Sequence, residues 1–82
     1  MNCLLLEVRL YSGLEKFVAG ATYGKPLAVE LPDGANVKEL LAKLNIPEVE
    51  VFSILANGIH RHLEDVLNDG DRVALFPPVG GG

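Results

Sequence analysis

Asn36-Val37-Lys38-Glu39-Leu40-Leu41-Ala42-Lys43-Leu44 is where this sequence declares a helix. Val37, Leu40, Leu41 and Leu44 recur at the helical period and line one apolar stripe, while Lys38, Glu39 and Lys43 fall on the wet face. Asn36 is placed to cap the N-terminus, because its side-chain oxygen can accept from a free N–H of the first turn. Asn45 and Pro47 end the element, since proline excludes further helix and restricts the residue before it. The remaining patterns have the period of strands, so the surroundings of this helix are read as sheet.

Upstream, Pro26 to Leu31 alternates, with Leu27, Val29 and Leu31 opposite Ala28 and Glu30, and Pro32-Asp33-Gly34 stops it as a turn. Leu4 to Tyr11 alternates in the same way. Leu4, Leu6, Val8 and Leu10 face one side, and Leu5, Glu7, Arg9 and Tyr11 the other. These two strands suit a hairpin. The connection between them, Ser12 to Gly24, holds Leu14, Phe17 and Val18 before Gly20 and Gly24 break the pattern, which predicts one helical turn. Downstream, Val51 to Ala56 is apolar at nearly every position, as in a strand covered on one face and partly on the other. Asn57-Gly58 turns it. Ile59 to Leu63 is read as a short edge, Glu64 to Leu67 as one helical turn, Asp69-Gly70-Asp71 as a tight turn and Arg72 to Phe76 as the last strand. The sum is an α+β domain with one helix lying across one face of a mixed sheet.

Eighty-two residues make one small domain. With 49% hydrophobic and 22% charged residues the chain is apolar enough to fold alone, yet no run approaches the roughly 20 residues of a membrane span. No basic flank or small-residue cleavage site marks a signal peptide, and the expected location is the cytoplasm. A net charge of -4 argues against nucleic acid and fits a basic protein partner. Cys3, the one cysteine, can form neither an internal disulfide nor a zinc site and is expected to be a buried or half-buried small hydrophobe. His60-Arg61-His62 offers two ligands and no third, so no metal is expected. Turn chemistry and a helix start account for Glu64, Asp65, Asp69 and Asp71. Gly20 and Gly24 form no phosphate loop. Nothing here points to an autonomous enzyme.

The ending, Phe76-Pro77-Pro78-Val79-Gly80-Gly81-Gly82, is of another kind. Pro77 and Pro78 have fixed φ and no N–H, so they cannot continue a ladder and leave as a stiff stalk. Gly81 and Gly82 have no Cβ and can enter a slot too narrow for any side chain. Fully extended, residues 77–82 reach roughly 20 Å, enough to place the Gly82 carboxylate inside a partner's active site. A glycine end can also be a frayed tail. The ordered run of strand, double proline, Val79 and glycine tilts the reading toward delivery. Ordering such a tail costs on the order of 1 kcal/mol per residue, so affinity is expected from the body. By alternation Leu5, Leu55 and Phe76 share the sheet face opposite the helix; they read equally as a partner interface or as scattered surface apolar residues.

Taken together, Val8-Arg9-Leu10-Tyr11, Leu31-Pro32-Asp33-Gly34, Asn57-Gly58, Asp69-Gly70-Asp71-Arg72-Val73 and Phe76-Pro77-Pro78-Val79 running into glycine resemble the ubiquitin-like β-grasp sulfur carriers. That family includes the small subunit of molybdopterin synthase and the thiamin-thiazole sulfur carrier. The resemblance departs at Gly80, where Ala or Ser is more usual, and in the short stretch from Leu44 to Val51. It implies a β-grasp fold, a mixed sheet of four to five strands with one main helix on one face, over residues 1–76, with 77–82 as an extended tail. It further implies that an E1-like enzyme uses ATP to adenylate the Gly82 carboxylate, which becomes a thiocarboxylate. The tail of Pro77, Pro78, Val79, Gly80, Gly81 and Gly82 then enters the large subunit of molybdopterin synthase and donates sulfur toward a molybdopterin or tungstopterin cofactor. The chain would be a non-catalytic carrier, a monomer when alone, binding no cofactor itself. Sulfur delivery to thiamin thiazole or tRNA, a ubiquitin-like modifier joined to lysine, and a plain interaction domain with an incidental tail remain the alternatives.

Overall fold

A computed structural model describes residues 3–78 of the chain. The expectations for Val79, Gly80, Gly81 and Gly82 lie outside the described residues. Alternation builds the first hairpin: β1 (Cys3–Leu10) pairs antiparallel with β2 (Leu27–Pro32), Leu6 opposite Val29. Leu4, Leu6, Val8 and Leu10 of β1 and Val29 and Leu31 of β2 are buried, so one face of the hairpin is committed to the core. The connection carries the expected single turn, a 3-10 helix at Leu14–Phe17 that buries Leu14 and leaves Phe17 exposed.

The helix α1 (Val37–Leu44) packs Val37, Leu40, Leu41 and Leu44 into the same core. Its start is doubly closed: Asn36 Oδ1 accepts from Glu39 N at 2.9 Å, and Glu39 Oε1 accepts from Asn36 N at 3.1 Å. Asn45 ends it in the left-handed region at φ 60°. After a 3-10 turn at Glu48–Glu50 come β3 (Ser53–Ala56), β4 (Ile59–His60) and β5 (Arg72–Phe76). β5 lies between β1 and β3, parallel to the first and antiparallel to the second, giving the order β2-β1-β5-β3-β4. Ile54, Ala56, Val73 and Leu75 complete the core beneath α1. The fold is an α+β β-grasp: a mixed five-stranded sheet with one helix on one face.

Four expectations are corrected. Glu64 to Leu67 is not a helical turn: a turn at Leu63-Glu64, closed by Asp65 N donating to His62 O at 3.0 Å, leads into a short strap in which Val66 bridges Asn36, Asp65 O and Leu63 O accept from Val37 N and Lys38 N at 3.1 and 3.0 Å, and Leu67 N donates to Ala35 O at 2.9 Å. The N–H groups at a helix start have no partner within the helix, and the strap supplies one. The third strand begins at Ser53 and not Val51, because Val51 N is taken by Glu48 O at 3.1 Å. The edge strand is only two residues long, Ile59–His60. Cys3 is exposed, since it shares the outward parity of Leu5 rather than the inward parity of Leu4.

Candidate partner-binding face and tail root

The parity that buries Val73 and Leu75 turns Arg72, Ala74 and Phe76 to the opposite face of the sheet. Register then sets their neighbours. Ala74 lies between Arg9 of β1 and Leu55 of β3, Arg72 beside Glu7, and Phe76 beside Ser53. A groove of about 760 Å³ runs over these rows, with Leu55, Ala74, Tyr11 and Phe76 giving an apolar wall and Glu7, Arg9 and Arg72 a charged one. Glu7 and Arg9 pair at 3.0 Å with side chains 40% and 43% exposed, so solvent screens them and the pair adds little stability. Arg72 is exposed.

The ring of Tyr11 stacks on Phe76, with centroids 4.7 Å apart and planes 6° from parallel. Tyr23, from the β1–β2 connection, meets Tyr11 edge-on at 5.5 Å and 89°. This aromatic trio sits where the chain leaves the sheet. Phe76 O accepts from Phe52 N at 2.8 Å, and β5 ends there, since Pro77 has no N–H to give. Pro77 is half-buried and Pro78 exposed.

Of the three face residues expected from alternation, Leu55 and Phe76 line the same groove. Leu5, 56% exposed, lies apart from them in a second depression with Pro26 and Ala28. Tyr11 and Tyr23 were not singled out by the sequence pattern. The outward parity of Tyr11 was legible; that Tyr23 folds back onto it from an irregular connection was not.

Asp65 and Asp71 close their own turns, three residues back, while Asp69 ties its turn to the backbone of β1. Asp65 Oδ2 accepts from His62 N at 2.8 Å, Asp69 Oδ1 from Leu5 N at 2.7 Å, and Asp71 Oδ2 from Asn68 N at 2.9 Å. His60 and His62 are exposed, and no group of three or more His, Cys, Asp or Glu among the described residues is placed to hold a metal ion. No helix among the described residues is long and apolar enough to cross a membrane.

A mixed five-stranded sheet with one helix on one face and an outward groove of mixed apolar and charged lining, running into a double-proline exit, defines a small ubiquitin-like β-grasp protein. The ThiS family model matches residues 18–82, and the chain belongs to that family. It is 31% identical to a molybdopterin synthase sulfur carrier subunit from Chlamydomonas reinhardtii, over 89% of this chain and 94% of that protein. Among solved structures it is similar to small archaeal modifier protein 1 of Haloferax volcanii, with 25% identity, a TM-score of 0.72 and coverage of 93% of this chain and 99% of that one. It is also similar to a chain in the complex of subunits 1 and 2 of molybdopterin-converting factor from Helicobacter pylori, with 27% identity, a TM-score of 0.59 and coverage of 96% and 100%.

Proposed function

We propose that this chain is a sulfur carrier for molybdopterin synthesis, with the Gly82 carboxylate as the carrying group and the folded body as the part that is recognised. The observation behind it is the 31% identity, across most of both chains, to a molybdopterin synthase sulfur carrier subunit. The exit of the chain at Phe76-Pro77-Pro78, beside a groove with one apolar and one charged wall, supports the same assignment.

A carboxylate is a poor electrophile and must be activated. An E1-like enzyme joins the Gly82 carboxylate to the AMP portion of ATP, and pyrophosphate leaves. Sulfide-level sulfur from the donor then attacks the acyl carbon and AMP leaves, so the acyl C–O bond is replaced by C–S and loss of the sulfur's proton leaves a thiocarboxylate. That sulfur is nucleophilic and cannot diffuse away, because it stays covalently tethered to the chain. ATP is consumed by the activating enzyme, and this chain contributes no base, metal or side-chain nucleophile; it is a carrier and not the catalyst. The tail, Pro77 to Gly82, places the sulfur within the large subunit of the synthase, where Leu55 and Phe76, and Leu5 at the margin, form the contact face. The Helicobacter pylori complex of subunits 1 and 2 supports such a large-subunit partner. The cytoplasm, where ATP is available, is the proposed location.

Likeness to the Haloferax modifier favours one second reading: the same acyl-adenylate chemistry ending in attack by a lysine amine, which gives an isopeptide bond. Intact mass separates the two. The purified chain is incubated with an E1-like enzyme, ATP and a sulfur donor. The expected gain equals exchange of one oxygen for sulfur and is absent when Gly82 is deleted. Absence of both thiocarboxylate and adenylate across a panel of activating enzymes would overturn the carrier assignment, and lysine-linked conjugates without thiocarboxylate would replace it with the modifier.

A further inference from the structure

Carboxylates outnumber Lys and Arg by 11 to 7 along the chain, but the outward groove reverses that balance: two guanidiniums, Arg9 and Arg72, face a single carboxylate, Glu7. Glu7 is taken by Arg9 at 3.0 Å. The guanidinium of Arg72 has no hydrogen-bond or ion-pair partner among the described residues, although register sets it beside Glu7. Its other acidic neighbours are already engaged. Asp71 is buried with both oxygens accepting, from Asn57 Nδ2 and Asn68 N, and Asp69 Oδ1 accepts from Leu5 N at 2.7 Å. Asn57 contributes an uncharged amide, whose Oδ1 accepts from the Arg72 backbone N–H. On a wholly polar surface such an arginine would be a solvated charge and nothing more. Arg72 instead stands at one end of a groove whose other wall is Leu55, Ala74, Tyr11 and Phe76.

We propose that Arg72 is a partner-selecting charge: the large subunit of the synthase presents a carboxylate to it, while apolar side chains of that subunit cover Leu55, Ala74 and Phe76. This rests on the carrier function proposed above. A partner that covers the apolar wall also removes water from Arg72, and a desolvated cation with no counter-charge is costly. Surfaces that lack an acid at that point, or carry a base there, are thereby disfavoured. Arg72 and Phe76 stand at opposite ends of β5, about 13 Å apart at the rise of an extended strand. Apolar contact is non-directional and leaves the body free to turn on its partner. A charge pair at a second point removes that freedom. The net charge of -4 draws a basic protein from a distance, so the carboxylate is expected as an acidic spot on a basic surface.

The test measures binding of wild type, Arg72→Gln and Arg72→Glu to the molybdopterin synthase large subunit of the same organism, by calorimetry at low and high salt, with a thermal melt of each variant. Arg72→Gln is expected to raise Kd roughly tenfold and Arg72→Glu roughly a hundredfold, and added salt should weaken the wild type more than Arg72→Gln. The melts should be nearly unchanged, since only an exposed side chain is altered and the backbone bonds of Arg72 to Asn57 remain. Replacing the surface Asp and Glu residues of the large subunit by Lys, one at a time, should find one change that restores binding to Arg72→Glu. Equal Kd for the three chains, tighter binding by Arg72→Glu, or the lack of any restoring lysine would overturn the proposal while leaving the carrier function standing. So would a wild type that forms thiocarboxylate yet does not bind the large subunit. A wild type that forms no thiocarboxylate with an E1-like enzyme, ATP and a sulfur donor would instead remove the carrier function itself.

Discussion

Asp71 is the one buried charged side chain among the described residues, 7% exposed. Both of its oxygens are engaged: Oδ1 accepts from Asn57 Nδ2 and Oδ2 from Asn68 N, each at 2.9 Å. Asn57 in turn accepts from Arg72 N through Oδ1 at 3.0 Å and donates its own N–H to Arg72 O at 2.8 Å. One carboxylate thus joins the turn after β3 to the turn before β5. Replacing Asp71 by Ala strands two donors at a part-buried site, and the expected cost is about 1–3 kcal/mol in urea unfolding. Asp71→Asn should not restore it, because its amide nitrogen would face one of those donors. A loss below about 0.5 kcal/mol for Asp71→Ala would show that water replaces the carboxylate freely. The sequence displayed both turns through Asn57-Gly58 and Asp69-Gly70-Asp71. It hid their connection, because the partners stand 14 residues apart and each motif is already explained locally.

The helix shows the same division between local and distant information. Its apolar stripe and its end at Asn45 were readable from spacing, and α1 has those bounds. The reciprocal bond from Glu39 was also within reach of the Asn-x-x-Glu spacing, although Glu39 reads first as a wet-face residue. The strap from Leu63 to Leu67 was not readable. Glu64-Asp65 looks like a helix start, but the carbonyls of this segment are drawn to Val37 N and Lys38 N, and Leu67 is buried to 2%. A tertiary partner overrides a local preference here. Cap and strap therefore share the work of satisfying the first turn of α1. Asn36→Ala removes only the side-chain cap and should destabilise the protein by about 1 kcal/mol in denaturant titration. Asn36→Ser should recover most of that loss, since serine also accepts from the third helical N–H. A loss well above about 2 kcal/mol would mean that the strap detaches with the cap.

At the scale of the whole molecule, every buried apolar residue among those described lies between Leu4 and Leu75. The strand periods placed the share of that core contributed by β1 and β2, and the helical period that of α1, because side-chain alternation is fixed by the pleat and the helix stripe by its turn; Ala35, Ile46 and Leu67, in the connections, were not legible. The shape of the outward face was less legible: parity put Leu5 with Leu55 and Phe76, but parity carries no information about distance along a strand, and Leu5 lies in a separate depression. A core confined to the body implies that stability and carrier chemistry can be separated by truncation. A chain ending at Pro78 keeps all of the described core and the groove and lacks the Gly82 carboxylate proposed as the carrying group. Its Tm should stay within about 3 °C of the full chain, as expected for changes remote from buried contacts. If affinity resides in the face lined by Leu55 and Phe76, the truncated chain should also compete with the full one for the activating enzyme. Ordering the tail costs on the order of 1 kcal/mol per residue and offsets much of what its contacts contribute. The inhibition constant should therefore fall within about threefold of the KM of the full chain. Inhibition many times weaker would place the affinity in the tail, and the groove would then be a surface without a partner in the activation step.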